Sequence, residues 1–205
     1  MYDHDEMIIQ VRVTIQGIEP PIWRRLHLPF DLNLAQLHEV IQASFGWTDS
    51  HLHQFIIGGL VYGAPEFDEL QERTIFEATQ VFIRDFDLYH EPQPRLLYEY
   101  DFGDSWRHLI VFDEVMPRQA GTKYPLCIDG ARHRPPEDVG GTGGYSEFLK
   151  AWSDPDHEQH SEMRQWVGLA FAPEKFDIGK TNKAISAALR KCKGGYRFRL
   201  DNNLR

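Results

Sequence analysis

The chain is poor in cysteine and has no long apolar run. It contains only Cys127 and Cys192 among 205 residues. No stretch approaches the roughly 20 apolar residues that a membrane-spanning helix requires. The start, Met1-Tyr-Asp-His-Asp-Glu-Met7, is acidic where a signal peptide is basic and then apolar. We therefore expect a cytoplasmic protein without a membrane segment, in which both thiols are reduced.

Basic residues are scarce outside the end of the chain. The sequence holds 22 Lys and Arg against 31 Asp and Glu, a net charge of −9. Residues 179–205 contain eight basic residues and one acid, which leaves 14 basic and 30 acidic residues elsewhere, a balance of −16. So acidic a body repels nucleic-acid phosphate and argues against a dedicated DNA-binding domain.

The basic tail leaves nucleic-acid contact open as an alternative. Residues 191–205 interleave cationic and aromatic side chains, a composition that can track phosphates and stack on bases. The residues of this tail that we name as candidates are Lys191, Lys193, Tyr196, Arg197, Phe198 and Arg199.

Two periodicities indicate an α+β fold. Alternation of apolar and polar residues predicts strands, and they fall at residues 7–15, 22–28, 51–57 and 97–115. Helical spacing predicts helices, and they fall at residues 34–45, 145–152, 156–167 and 181–191. Asp31 or Asn33 can cap the first helix, and Gly46 can end it. His38, near its apolar stripe, is expected to be a packed, hydrogen-bonded residue.

We therefore expect one domain over residues 1–190, followed by the basic tail. A mainly antiparallel sheet over about 7–115 carries one helix packed on it after the second strand. Residues 118–190 then hold an irregular loop and a C-terminal helical cluster. The loop, 124–144, is dense in Pro, Gly and charge, and we expect it to lie ordered on the sheet.

Residues 97–112 read as a β-hairpin closed by a two-residue turn at Gly103-Asp104. With that turn Phe102 faces Ser105, and successive side chains alternate between the faces. The face expected in the core then holds Tyr98, Tyr100, Phe102, Arg107, Leu109 and Val111. The opposite face holds Leu97, Glu99, Asp101, Trp106, His108 and Ile110.

Four motifs, in chain order, resemble one family. They are Pro21-Ile-Trp-Arg-Arg25; Leu37-His-Glu with Gly46-Trp47 and His51-Leu-His53; Tyr98-Glu-Tyr-Asp-Phe-Gly-Asp-Ser-Trp-Arg-His108; and Pro135-Pro-Glu-Asp-Val-Gly-Gly141 with Gly144-Tyr145. Over residues 8–185 the chain is similar to the Ri-plasmid open-reading-frame-three-like family of bacterial and archaeal proteins. The resemblance implies an α+β fold and a place on plasmids and mobile elements. It brings no established catalytic residue with it.

Some members of that family are described as insertion-element passengers or resolvases. A recombinase needs a nucleophilic Ser or Tyr among basic residues that hold the scissile phosphate. Ser105 has Arg107 nearby, but it also lies beside Glu99, Asp101 and Asp104 in the sequence. The residues therefore support a resolvase only weakly.

Imidazole and carboxylate groups in two neighbouring segments suggest a metal site. His51 and His53 point the same way on a strand, and the hairpin supplies Asp101, Asp104 and His108. These are ligands that Zn²⁺ or Mn²⁺ accepts, and a bound metal would activate water for hydrolysis. In the alternative interpretation Glu99 pairs with His108, Asp104 only makes the turn, and His51 begins a surface strand.

Charged residues of the long loop either border a pocket over the hairpin or pair with one another at the surface. The candidate rim consists of Glu99, Trp106, Asp129, Arg132, Glu137 and Asp138. The run Gly140-Gly-Thr-Gly-Gly144 lacks the Lys-Ser/Thr of a phosphate loop, so we interpret it as a flexible entry to the next helix.

The function that these observations favour is a non-catalytic binding or accessory module of a mobile element. A metal-dependent hydrolase or nuclease, using Zn²⁺ or Mn²⁺ at the His/Asp set, is the first alternative. Nucleic-acid contact through the tail is the second. The partner and the ligand stay open.

Overall fold

A computed structural model describes residues 4–65, 74–87, 95–168 and 170–192. Its strands are β1 (Met7–Ile15), β2 (Trp23–Pro29), β3 (His53–Ile57), β4 (Leu60–Gly63), β5 (Ile75–Glu77), β6 (Arg95–Tyr100), β7 (Trp106–Pro117) and β8 (Leu126–Ala131). Its α-helices are α1 (Leu34–Phe45), α2 (Gly141–Ser153), α3 (His160–Val167) and α4 (Ile178–Cys192). Short 3₁₀ turns lie at His4–Glu6, Ala78–Gln80 and Ile83–Asp85. In these ranges, every helix is too short or too polar to cross a membrane.

The eight strands form one sheet in the order β5-β4-β3-β6-β7-β1-β2-β8. Neighbours are antiparallel except for β4 and β5, which run parallel. The central strand β1 alternates as its sequence requires, and Ile9, Val11 and Val13 are fully buried. Helix α1 packs its apolar stripe into the same core. The predicted α+β fold, a mainly antiparallel sheet with one helix after strand two and helices last, is confirmed.

Helix α1 begins and ends where its sequence indicates. The Asn33 side chain accepts a hydrogen bond from Gln36 N (2.8 Å), and the Gln36 side chain accepts one from Asn33 N (3.0 Å). This reciprocal capping box satisfies two backbone donors at the helix start. Gly46 ends the helix in a left-handed conformation with φ 86°. The direction of the following segment, residues 47–52, is thereby set.

The long loop contains a strand that its sequence did not indicate. β8 pairs antiparallel with β2 at the edge of the sheet, so the prediction of an irregular loop over 124–144 is wrong there. Gly130 obscures the pattern, yet the pairing requires it, because a Cβ would lie 2.9 Å from Trp23 O. Helix α2 also begins earlier than predicted, at Gly141, inside the glycine run interpreted as a flexible entry.

The predicted register of the hairpin is wrong by one residue. Tyr98 pairs with His108 and Tyr100 pairs with Trp106, so the turn contains five residues, 101–105. A shift of one residue moves side chains to the other face of a strand. Trp106 and His108 are therefore fully buried beside the two tyrosines, on the face predicted to exclude them.

The turn is held by the side chain of its first residue. Asp101 Oδ1 accepts hydrogen bonds from Gly103 N (3.0 Å) and Asp104 N (3.3 Å). Asp101 and Ser105 both adopt left-handed conformations, with φ 57° and 54°. Phe102, expected in the core, lies at the tip of the turn and is 47% exposed.

Two alanine substitutions in this hairpin distinguish the observed register from the predicted one. Phe102→Ala is expected to change the free energy of unfolding by less than about 0.5 kcal/mol, because the ring is half exposed. Trp106→Ala should cost about 3–5 kcal/mol, because it empties a core position. Urea denaturation of both variants measures the difference. A large loss at Phe102 with a small loss at Trp106 would contradict the five-residue turn.

His108 is neutral in the folded core. The Trp47 indole N–H donates to His108 Nε2 (3.1 Å), and Nδ1–H of the same ring therefore donates to Trp106 O (3.0 Å). Burial lowers the pKa of His108 to about 4, although its backbone hydrogen bonds act in the opposite direction.

Because the folded core keeps His108 neutral, we expect the protein to lose stability as the pH falls. Below pH 6.5, the ordinary value, the unfolded chain takes up a proton that the folded core does not accept until about pH 4. The loss attributable to this group approaches roughly 3 kcal/mol at the acid end of that window. His108→Gln retains an acceptor for Trp47 and should remove this part of the dependence. Urea midpoints of both proteins from pH 7.5 to 4.5 test it; parallel curves would contradict the assignment.

Candidate functional site

Three connecting segments meet beside the start of β3, and we call this place the loop junction. They are residues 46–52 after α1, the turn 101–105, and residues 132–140 between β8 and α2. Each pair of segments is joined by a hydrogen bond, so the junction is fixed from three sides. The three bonds run from Asp101 N to Leu52 O (2.9 Å), from Thr48 N to Glu137 Oε1 (2.8 Å) and from Gly140 N to Asp104 Oδ2 (3.1 Å).

One imidazole and two carboxylates converge at the loop junction. His51 Nε2 lies 3.3 Å from Asp138 Oδ1 and 3.7 Å from Asp101 Oδ2. The three atoms all lie within 4.8 Å of one another. His51 Nε2 is shielded from solvent, and in the described part of the chain it has no hydrogen-bond partner. The Asp138 side chain is 72% exposed, so the group opens to solvent on that side.

Hydrogen bonds from the backbone of the turn orient the Asp101 carboxylate toward His51. Because Oδ1 of Asp101 is occupied by the two N–H groups of the turn, Oδ2 is the atom presented to the imidazole. The close approach of α2 to the turn requires glycine at position 141, where a Cβ would lie 2.6 Å from Asp104 O.

Glu137 fixes the segment that carries Asp138. Its Oε1 accepts hydrogen bonds from both N and Oγ1 of Thr48, at 2.8 and 2.9 Å. Arg134 lies 3.8 Å from the same oxygen and stacks over the Trp47 ring at 4.8 Å. Burial lowers the pKa of Arg134, and the charge of Glu137 opposes that effect. These contacts hold the backbone next to Asp138 at the junction.

Tyr100 forms the wall of the junction behind His51. The two rings meet edge to face, with centroids 5.8 Å apart, and Ser50 N donates to the phenol oxygen at 3.1 Å. Burial, reinforced by the charge of Glu137, raises the pKa of Tyr100 to about 12. The phenol therefore stays protonated at neutral pH and adds no charge to the site.

The structure divides the predicted set of metal ligands. His51 and Asp101 come together at the junction, whereas Asp104 accepts the Gly140 N–H at the start of α2. His108 is fully buried in the core, and the half-buried His53 stacks on His38 instead. Asp138, which sequence reasoning assigned only to the rim, takes their place. Its position in a short Pro-Glu-Asp-Val-Gly-Gly segment, preceded by a second proline, is the signal that could have indicated a fixed carboxylate.

A second group of ionisable residues lies inside the core. His38 Nδ1 is 2.8 Å from Tyr98 Oη, and His38 Nε2 is 3.0 Å from Asp49 Oδ1. The His53 ring stacks on His38 at 3.6 Å, and burial lowers the pKa of His53 well below its usual value. Ligand atoms of His38, Glu39 and Asp49 also lie within 4.8 Å of one another. Since both His38 nitrogens already have partners, this group ties α1 to β6, as predicted for a packed histidine.

The predicted rim residues occupy different surroundings. Glu137 and Asp138 belong to the junction, and the other four have partners elsewhere. Glu99 accepts from Gln54 and Ser105, Trp106 is in the core, Asp129 lies 3.8 Å from Arg25, and Arg132 binds Glu174.

The predicted nucleic-acid tail lies mostly beyond the described residues. Lys191 is exposed in the last turn of α4. The remaining tail candidates, Lys193, Tyr196, Arg197, Phe198 and Arg199, fall outside those ranges.

The fold and the junction motifs are those of a known family. Residues 7–180 match the family described as plasmid pRiA4b ORF-3-like protein, and the chain belongs to it. The match includes the whole sheet and all three segments of the loop junction, so the resemblance seen in the sequence is confirmed.

Two relatives cover most of the chain. The uncharacterized protein y4hQ of Sinorhizobium fredii (strain NBRC 101917 / NGR234) is 36% identical over 179 residues, 87% of this chain and 90% of the relative. The crystal structure of MM3350 from Methanosarcina mazei Go1, a protein of unknown function, has a TM-score of 0.76 and 33% identity. The match covers 85% of this chain and 97% of the MM3350 chain. Neither description states an activity.

Proposed function

We propose that this protein is a binding module whose loop junction holds one divalent cation, Zn²⁺ or Mn²⁺. His51 Nε2, Asp101 Oδ2 and Asp138 Oδ1 are the proposed ligands. The observation that carries the proposal is the position of His51 Nε2, which is shielded from solvent and faces two carboxylate oxygens at 3.3 and 3.7 Å without hydrogen-bond geometry. The plasmid in the family's description supports an accessory role on mobile DNA.

The separations are close to those of a coordination shell. Metal–ligand bonds of about 2.1 Å place neighbouring ligand atoms roughly 3.0–3.4 Å apart in tetrahedral or octahedral geometry. The two distances from His51 therefore need only small adjustments. A mixed set of imidazole and carboxylate ligands suits borderline cations such as Zn²⁺ and Mn²⁺.

The surroundings also favour a cation. Asp101, Asp104 and Asp138 bring three carboxylates to the junction, while the nearby Arg134 is engaged with Glu137 and Trp47. A bound cation would neutralise part of this negative charge. In natural metal sites, an outer shell of hydrogen bonds orients the ligands. Here the N–H groups of the turn bind Asp101, and the contacts of Glu137 hold the residue before Asp138.

A metal-dependent hydrolase is the second candidate. Three protein ligands leave coordination positions for water and substrate, and the exposed side of Asp138 leaves a way in. A metal-bound water has a lowered pKa and becomes a nucleophile at neutral pH. The same junction residues serve both candidates, and they differ only in whether turnover accompanies binding.

Metal titration tests the proposed ligands. Calorimetric titration of the chelator-treated protein with ZnCl₂ and MnCl₂ is expected to show one site for at least one of the two cations. His51→Ala and Asp138→Asn should each weaken it by about tenfold or more, since each removes a ligand. The matched control is Asp156→Asn with His157→Ala, an acid–imidazole pair between α2 and α3 outside the junction. Unchanged binding in His51→Ala, or an equal loss in the control, would contradict the site.

The hydrolase candidate is separated from the binding module by turnover. The metal-loaded protein is assayed with bis-p-nitrophenyl phosphate as a simple diester. Hydrolysis that disappears in His51→Ala would favour the hydrolase, whereas stoichiometric metal binding without turnover of this diester would favour the binding module.

A further inference from the structure

A groove of about 560 Å³ lies between α2 and α3, beside the loop junction. Phe148 and Ala151 are almost fully buried and form its floor, with Met163 half-buried beside them. Trp166 lines the same groove and is 48% exposed. Asp138 lines it as well, so the groove continues directly from the junction. The result is an apolar floor with an aromatic ring left open to solvent.

The charged residues that line the groove are all acidic. Asp138, Glu147 and Glu162 line the groove, and none of its described lining residues is basic. Lys150, outside the lining, pairs with Glu147 at 2.7 Å and compensates one of the three charges. Asp138 and Glu162 then give the groove a net negative field. A phosphate-bearing nucleic acid or an anionic membrane surface would be repelled here.

Trp166 presents the kind of surface on which a guanidinium group stacks. Phe148 supports it edge to face, with centroids 5.8 Å apart and planes at 76°. Arg binds over an indole face through cation–π attraction while its N–H groups reach carboxylates. The volume is that of an ordinary ligand pocket, enough for a few side chains of an extended segment.

We propose that this groove docks an arginine-bearing, partly apolar peptide segment of a partner protein. One guanidinium stacks on Trp166 within reach of Glu162, and a neighbouring apolar side chain of the peptide covers Phe148 and Met163. Charge complementarity and the exposed indole select this occupant. The proposal does not rest on the metal site, because Asp138 alone is shared and Glu162 and Trp166 stay available when a cation occupies the junction.

The test is a titration of the full chain followed by ¹⁵N–¹H NMR. The probe is acetyl-Leu-Arg-Ala-Leu-Arg-amide, and the controls are the same peptide with citrulline for arginine and free argininamide. The indole N–H resonance of Trp166, assigned with Trp166→Phe, is expected to shift and saturate. The citrulline peptide should bind about tenfold more weakly or worse, because it lacks the charge that both partners recognise. Argininamide should also bind more weakly, because it cannot cover the floor.

Two variants separate docking from a general charge effect. Glu162→Gln should weaken the peptide about threefold to fivefold, as expected for a partly exposed ion pair. Trp166→Ala should weaken it about tenfold. Glu158→Gln, an exposed acid outside the groove lining, is the matched control and should bind like the unmodified chain. Preserved resonance dispersion in each variant verifies the fold.

Other outcomes would overturn the proposal. Equal affinity for the citrulline peptide would remove the role of charge, and equal affinity for argininamide would make the groove a small-cation pocket. If other resonances shift while the Trp166 indole resonance does not, the peptide binds at another place on the protein. Concentration-dependent dimerisation abolished by Trp166→Ala, without peptide binding, would make this face an interface between copies of the chain.

Discussion

The pairing of Tyr98 with His108 and of Tyr100 with Trp106 governs both the core and the loop junction. In this register four large side chains share the face that packs beneath α1, where Trp47 and His108 are joined by a hydrogen bond. The same register leaves five residues to connect the two strands. Both end residues of that turn are left-handed, and the first of them is Asp101. The same strand register therefore determines both the packing of the core and the position of the Asp101 carboxylate.

A fixed frame surrounds the proposed site. Each of the three segments of the loop junction is hydrogen-bonded to the other two. Each segment also connects helices or strands whose positions are fixed by the sheet and the core. The inner group at His38 differs in how its ring nitrogens are bound. There, both ring nitrogens have close partners, as buried polar groups require. At His51 the ring nitrogen instead faces two carboxylate oxygens at 3.3 and 3.7 Å without hydrogen-bond geometry. The one group is a structural tie, and the other is the site that we propose for a cation.

Much of the frame could be predicted because its causes are local. The alternation of β1 and the capping box at Asn33 each act within a few residues, so the pattern and the structure agree. The hairpin register could not be settled in the same way. Gly103-Asp104 suits a two-residue turn equally well, and nothing local in the sequence reveals the left-handed conformation of Ser105. When the turn is one residue longer, every side chain of the following strand points to the opposite face of the sheet. Asp138 could be assigned only to the rim, because its approach to His51 depends on tertiary contacts of residues 132–140 with the other two segments.

In the proposed function, this register creates a junction in which a cation binds to His51, Asp101 and Asp138. Anomalous diffraction from crystals grown with ZnCl₂, collected at the zinc edge, tests it most directly. We expect a peak within about 2.3 Å of His51 Nε2 and of one carboxylate oxygen from each aspartate. We also expect Tyr100 opposite Trp106 in the same map. A map with no zinc at the junction, or with Phe102 paired to Ser105, would contradict it.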